Sequence, residues 1–127
     1  MALGVLVSEY HYVFIRPGSP RDRLVSDISW ACAAELRTVD SEFVDYAANL
    51  GHAAVEVEFT HEYEKDHGMS FDRYDSLFTV RDFDSNLERQ ETTARRIFEN
   101  LASLGRYEML LVRDLQELIA SSGASAE

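Results

Sequence analysis

The sequence has little of several features that would place it in a familiar class of protein. Its only cysteine is Cys32, so an intramolecular disulfide is excluded, and a reducing compartment is expected. No uncharged run approaches the roughly 20 apolar residues that cross a bilayer. The apolar residues 1–7 lack the basic start of a secretory signal. We therefore expect a cytoplasmic protein with no membrane partner.

Basic residues are also scarce. The chain has 12 lysines and arginines against 23 acidic residues, which gives a formal net charge of -11. The negative electrostatic field around such a chain repels the phosphates of nucleic acids, so nucleic-acid binding is disfavoured. The same field speeds the encounter with a basic protein, although surplus acid also serves solubility.

Motifs that carry catalysis are missing as well. The six glycines are scattered as turn and cap residues, so no phosphate-binding loop is formed. His61 and His67 are six residues apart, whereas a zincin helix needs two histidines four apart. Cys32 falls on the apolar side of a predicted helix with no base beside it. We expect no catalytic residue, no cofactor and no native metal site.

What is present predicts one α+β domain. The 127 residues, 46% of them apolar, suffice for one core, which we place in residues 1–120 with a flexible tail at 121–127. The stretch 3–15 is apolar on both faces and predicts a central strand. A helix is expected from Pro20, capped by Ser19.

The middle of the chain predicts a long hairpin. Residues 38–52 fit a short helix ended by Gly51 slightly better than a strand. From 55 to 64 apolar and acidic residues alternate, which predicts a strand with one solvated face. A polar turn at 65–68 precedes a second extended run at 69–83, so we expect the two runs to pair in antiparallel fashion.

The last third predicts a helix, a strand and a short helix. Ser85 and Glu88 form a capping box at the start of a helix that Gly105 ends. A strand follows at 107–112, and Asp114 begins a last short helix. The order strand-helix-strand-strand-helix-strand predicts a four-stranded, mainly antiparallel sheet with helices on one face, as in ferredoxin-like folds.

The predicted hairpin carries the candidate binding residues. Its acidic side chains would form a ribbon, which is either a solvated sheet face or a docking face for a basic partner. Tyr63 and Tyr74, near the hairpin end, are the aromatic residues expected to be exposed there. The predicted partner-binding residues are Glu56, Glu58, Glu62, Tyr63, Glu64, Asp72, Tyr74 and Asp75.

Three segments carry a resemblance to a known family. They are residues 61–74, 95–101 and 110–116, which lie within about the last three fifths of the chain. In these segments the sequence resembles the Sit-type immunity proteins, cytoplasmic antidotes of contact-delivered bacterial toxins. The resemblance implies binding of a toxin, and it supplies no catalytic residues to transfer.

Three hypotheses about function follow. The first is a non-enzymatic binding protein, an immunity protein in particular, that masks a basic protein toxin through the acidic hairpin. The second is a small-molecule-binding or enzymatic domain with its pocket between the sheet and the helices, where His61 or His67 would be the acid or base. A homodimer joined through the sheet or an edge strand is compatible with either.

Overall fold

The computed structural model describes residues 9–123 and contains two α-helices, a three-residue 3-10 helix (Phe71–Arg73) and nine strands in that range. The α-helices are α1 (Arg21–Cys32) and α2 (Leu87–Ala102). The strands are β1 (His11–Arg16), β2 (Arg37–Thr38), β3 (Tyr46–Asn49), β4 (Ala53–Glu58), β5 (Lys65–Asp66), β6 (Met69–Ser70), β7 (Ser76–Asp82), β8 (Glu108–Arg113) and β9 (Glu117–Ser122).

Seven of these strands form one antiparallel sheet in the order β2-β3-β4-β7-β1-β8-β9, and β5 pairs with β6 separately. The predicted α+β class with an antiparallel sheet is therefore confirmed, but four strands were too few. The four strands expected from the sequence, β1, β4, β7 and β8, are the adjacent central ones. Strand β1 lies between β7 and β8. Its side chains are buried on both faces, as its apolar sequence predicted, with Val13 and Ile15 in one core cluster and Phe14 in a second.

Both helices pack on one face of the sheet. Ile28 of α1 and Ile97 of α2 join Val13 of β1 and Val80 of β7 in the main core, and all four are fully buried. The helix at 87–102 was predicted from the sequence, but the predicted cap was wrong, because Ser85 lies one residue before the N-cap. Its N-cap is Asn86, whose side chain accepts the Arg89 N–H. In α1 the N-cap is Pro20, and Ser19 does not cap the helix.

Two helices expected from the sequence are strands instead. The stretch 38–52 contributes β2 and β3, and the stretch from Asp114 contributes β9, which extends to Ser122 and so into the predicted tail. In both places the apolar spacing fits a helix, but pairing with β4 or β8 supplies backbone hydrogen bonds and burial together. Residues 3–8 of the predicted first strand lie outside the described residues.

The predicted hairpin is correct only at its base. Strands β4 and β7 pair from Ala53 opposite Asp82 to Glu58 opposite Leu77. The intervening residues 59–75, which we call the cross-sheet segment, leave the ladder. At its tip a two-residue turn, His67-Gly68, joins β5 to β6 with positive φ at both positions, so the predicted turn at 65–68 is present.

The cross-sheet segment covers the face of the sheet opposite the helices. Phe71 and Met69 from the segment pack with Phe14, Leu77 and Val112 of the sheet in a second, smaller core. This packing explains why the acidic alternation does not continue as a ladder: burying Phe71 requires the chain to turn across β1. No helix in residues 9–123 is long and apolar enough to cross a membrane.

Candidate functional site

Two adjoining clefts open beside the cross-sheet segment, with volumes of about 630 and about 600 Å³. We call them together the acidic cleft. They share Thr60, His61, Glu62 and Tyr63. The larger is completed by Glu64, Asp72, Tyr74 and Asp75, and the smaller by Glu42, Phe43, Asp45 and Glu58. The smaller cleft thus joins the cross-sheet segment to the loop before β3.

The acidic cleft is lined by seven carboxylates and by no lysine or arginine. Two of the carboxylates hold the fold: Asp45 accepts the Phe59 N–H at 2.9 Å, and Asp75 accepts the Gly18 N–H at 2.9 Å. The other five make no side-chain hydrogen bond or ion pair within residues 9–123. They are Glu42, Glu58, Glu62, Glu64 and Asp72. The cleft therefore concentrates uncompensated negative charge, which attracts cations.

Glu58 is the most confined of these carboxylates. It stands on β4, half-buried, while the other four are exposed. Burial raises the pKa of Glu58, and the neighbouring charges of Asp45 and Glu56 raise it further. A carboxylate in this position has lost part of its hydration without gaining a counter-ion. A cation placed in the cleft would supply what the described residues do not.

Two aromatic side chains flank the opening near Glu58. Phe43 projects from the loop before β3 and is 70% exposed, and Tyr63 projects from the cross-sheet segment and is 37% exposed. The Ser41 hydroxyl accepts the backbone N–H of Phe43, which shapes the loop that presents this ring. Aromatic faces beside a carboxylate suit an arginine or lysine side chain, because the ring attracts the cation and packs against its stem.

His61 holds the cleft wall in place. Its Nε2 lies 2.6 Å from the Tyr74 carbonyl oxygen, and its Nδ1 lies 3.1 Å from the Tyr63 backbone N–H. Only the neutral tautomer with the proton on Nε2 makes both bonds, donating one and accepting the other. The ring also meets Phe14 edge-on at 5.2 Å. Both nitrogens are engaged, so His61 positions Tyr63 and has no free nitrogen for acid–base chemistry.

Seven of the eight predicted binding residues line the acidic cleft, and Glu56 does not. Glu56 accepts a hydrogen bond from Arg81 at 3.1 Å on the neighbouring strand, so its charge is already compensated. The seven come together through the turning of the cross-sheet segment. They do not form the flat ribbon that the sequence predicted. Asp82, at the end of β7, is buried against Arg89 near the start of α2 and takes no part in the cleft.

Three cleft residues were missed by the sequence prediction. Glu42, Phe43 and Asp45 lie in a stretch expected to be helical, where Phe43 would have been an apolar contact of the helix. The signal that could have found them is the polar run Asp40-Ser41-Glu42, in which Ser41 begins a turn. An aromatic residue that follows such a polar turn, as Phe43 does, is expected on the surface and not in the core.

Comparison of the chain with protein-family models, with curated proteins and with solved structures gave no match. Within residues 9–123 no three histidine, cysteine or acidic side chains converge in a way that could hold a metal ion. The thiol of Cys32 is 3% exposed, and burial raises its pKa, which makes it a weak nucleophile.

The acidic cleft is also not where the alternative hypothesis expected a pocket. That hypothesis placed it between the sheet and the helices. There the space is filled by apolar side chains such as Ile15, Leu24, Ile97 and Met109, each at most 1% exposed. The two clefts lie beside the cross-sheet segment, and no residue of α1 or α2 lines either of them.

Proposed function

We propose that this chain is a non-enzymatic binding protein that takes a basic segment of a protein partner into the acidic cleft. The observation that carries the proposal is Glu58, a half-buried carboxylate without a counter-ion in the described part of the chain, beside the exposed rings of Phe43 and Tyr63. An arginine or lysine side chain from the partner neutralises Glu58 and packs between the rings. The exposed carboxylates around it steer the partner and fix its orientation.

The partner class that we propose is a protein toxin. This follows the resemblance to Sit-type immunity proteins. One of the segments of this chain that carry the resemblance, residues 61–74, includes much of the acidic cleft. An antidote needs a binding surface and no catalysis, which agrees with a cleft whose histidine is engaged at both nitrogens. The neighbouring genes offer the first check, because an immunity protein lies beside its toxin.

The binding experiment uses two charge-reversed variants with the same net charge. Glu62→Lys/Glu64→Lys alters the cleft, and Glu88→Lys/Glu99→Lys alters exposed positions on α2. Each replacement adds two positive charges, so both variants carry -7 in place of -11. Once a basic partner has been isolated from the host, we expect the cleft variant to bind it about tenfold or more weakly. The α2 variant should bind within about twofold of the wild type, because only long-range attraction is reduced.

Equal weakening by the two variants would show that net charge alone governs binding, and the cleft would lose its role. Unchanged binding by the cleft variant would remove the proposed interface altogether. The thermal midpoint of each variant should be measured beside its affinity, so that a folding defect is not mistaken for lost binding.

A small organic cation is the second candidate ligand, favoured by the size of the clefts. Volumes of about 600 and 630 Å³ lie within the range of small-molecule sites. Spermidine, a flexible triamine, is a suitable probe. If spermidine binds as tightly as an arginine-rich peptide of equal charge, the ligand is the small cation. If the peptide binds much more tightly, the cleft contacts several residues along an extended chain, and the ligand is a protein segment.

We also propose that the fold is built on a ferredoxin-like core. Each of the central strands β4-β7-β1-β8 is antiparallel to its neighbours, α1 lies between β1 and β4 in the chain, and α2 lies between β7 and β8. These features support the assignment. Strands β2 and β3 on one side and β9 on the other would then be additions to that core. A solved structure of a related chain that lacks the additions would test it.

A further inference from the structure

Strand β9 forms one edge of the main sheet and differs from the opposite edge. It is six residues long and pairs with β8 on one side only within the described residues. The opposite edge is β2, which has two residues, and its Arg37 is exposed and forms an ion pair with Glu35. Short charged edges resist pairing with other chains, whereas long edges present a row of free backbone groups. Of the two sheet edges in residues 9–123, only β9 offers such a row.

The charge on β9 is low for this protein. Of its six residues only Glu117 is charged, and Arg113 of β8 lies 3.0 Å from its carboxylate. The whole chain carries a net charge of -11. The strand contains neither proline nor lysine, the residues that commonly protect an edge. Strand β9 is therefore a sheet edge along which two copies of this chain can approach with little local electrostatic repulsion.

Apolar side chains lie on both faces of β9. Leu118 is aligned with Val112, on the face that bears the cross-sheet segment, and is 49% exposed. Ile119 and Ala120 pack against the main core beneath the helices and are only partly buried. A register shift near Leu118 interrupts the ladder once, but the residues on either side of it still pair with β8. Covering this edge would bury apolar surface on both faces.

We propose that β9 pairs antiparallel with β9 of a second copy of this chain, which joins two seven-stranded sheets into one continuous sheet. A two-fold axis satisfies both edges with the same surface, so no further edge is left open at the interface. A register centred in the middle of β9 places the two Glu117 residues five positions apart, about 17 Å at 3.4 Å per residue. The like charges on the strand then never face each other.

This dimer goes beyond the proposed function and uses another part of the sheet. Strand β4, which carries Glu58, is separated from β9 by β7, β1 and β8. The acidic cleft therefore stays open in both copies. The two associations should also respond to salt in opposite ways. Two copies of charge -11 repel, so salt strengthens the dimer, whereas salt weakens binding of a basic partner.

The test is sedimentation equilibrium of the full chain at about 0.05 and about 0.5 M NaCl, a range in which screening changes strongly. The variant Leu118→Lys places a charge on β9, and the matched control Thr38→Lys places one on β2. We expect the wild type and Thr38→Lys to dimerise, more tightly at high salt. Leu118→Lys should raise the dissociation constant about tenfold or more. Both variants are less acidic than the wild type, so general repulsion cannot explain a loss.

Amide hydrogen exchange identifies the surface used. The amides of β9 should become protected as the protein concentration rises, while those of β2 should not change. A monomer at every concentration, a dimer in which β9 amides stay unprotected, or an open-ended series of larger species would each overturn the proposal. Equal weakening by Leu118→Lys and Thr38→Lys would overturn it too, since the effect would not belong to β9.

Discussion

The ring of Phe71 stacks on the ring of Phe14, with centroids 4.3 Å apart and an interplanar angle of 18°. Phe14 lies on the central strand β1, and Phe71 belongs to the cross-sheet segment, so this pair ties the segment to the middle of the sheet. Both rings are almost completely buried. Phe14 also meets Tyr63 edge-on at 5.8 Å. A single core contact therefore supports the wall of the acidic cleft.

Removing the Phe71 ring should destabilise the protein and the cleft together. Phe71→Ala leaves a cavity beside Phe14, and we expect the free energy of unfolding in urea to fall by about 3–5 kcal/mol. Phe43→Ala is the matched control, because Phe43 is 70% exposed and its loss should cost less than about 0.5 kcal/mol. If the two variants were equally stable, Phe71 would not anchor the segment.

Removing the charge of Glu58 should stabilise the protein at neutral pH. Burial, then Asp45 and Glu56, raise the pKa of Glu58 in the folded state. The native protein keeps this proton at pH values where the unfolded chain has lost it. Stability therefore falls as the pH rises from the ordinary value of 4.5 through the folded pKa, and the loss persists above it. Glu58→Gln removes that loss.

The measurement is urea unfolding of Glu58→Gln and wild type between about pH 4 and 7, where carboxylates titrate. The variant should gain stability over the wild type as the pH rises, and it should bind a basic partner less well. Glu62→Gln is the control, since Glu62 is exposed and its replacement should leave stability nearly unchanged. A Glu58→Gln variant less stable than wild type at pH 7 would contradict the account of this carboxylate.

His11 should make the protein less stable in mild acid. It is fully buried, its Nδ1 lies 2.7 Å from the Gln90 side-chain nitrogen, and its Nε2 has no hydrogen-bond partner in the described residues. Burial lowers its pKa, against the opposing influence of Glu91. In mild acid His11 is therefore protonated in the unfolded chain while it stays neutral in the native state. The contribution of neutral His11 to the free energy of unfolding is fully present above pH 6.5, and it is lost as the pH falls from 6.5 toward the folded-state pKa.

The check is the slope of unfolding free energy against pH below 6.5. His11→Gln should flatten this slope, whereas His67→Gln, at the exposed hairpin tip, should keep it. An unchanged slope in His11→Gln would assign the acid sensitivity to other groups.

Asp82 and Asp84 bind the same arginine but differ in burial and in the number of hydrogen bonds that they accept. Both carboxylates bind Arg89, at 2.7 and 3.1 Å, but the side chain of Asp82 is fully buried and that of Asp84 is 80% exposed. Arg89 lowers the pKa of Asp82, and the backbone N–H groups of Asp84 and Asn86 reinforce this effect. We expect Asp82→Asn to cost about 2 kcal/mol of unfolding free energy and Asp84→Asn less than about 0.5. Equal costs would contradict a stabilising role that depends on the burial and the additional hydrogen bonds of Asp82.

Local sequence patterns predicted the elements whose burial is simple. The buried apolar residues of α2, such as Ala94 and Ile97, recur at helical spacing and face the sheet, while Leu87 at its start is exposed. The alternation of β4 was read correctly from Val55 to Glu58. Apolar spacing failed at Leu118 and Ile119, which fit a helix but lie in β9, because the partner strand β8 decides the conformation there.

The composition of the acidic cleft was foreseen better than its shape. Acidic residues between β4 and β7 were expected to bind, and most of them line the cleft. The pattern of Phe59, His61 and Tyr63 continues the alternation of β4, so nothing local signalled that the chain would turn across the sheet. That turn depends on the contact of Phe71 with Phe14, residues 57 positions apart in the sequence. Glu42 and Phe43 line the cleft because the loop before β3 lies beside the cross-sheet segment, which is also a long-range contact.

The central claim is that the acidic cleft, beside Glu58, receives a basic segment. The most direct test is a ¹⁵N–¹H NMR titration of the full chain with an arginine-rich peptide at low salt. The account predicts saturable shifts at amides 42–45, 58–64 and 72–75, and these shifts should be absent in Glu62→Lys/Glu64→Lys but kept in Glu88→Lys/Glu99→Lys. Shifts spread evenly over all acidic surfaces, or equal in both variants, would contradict it.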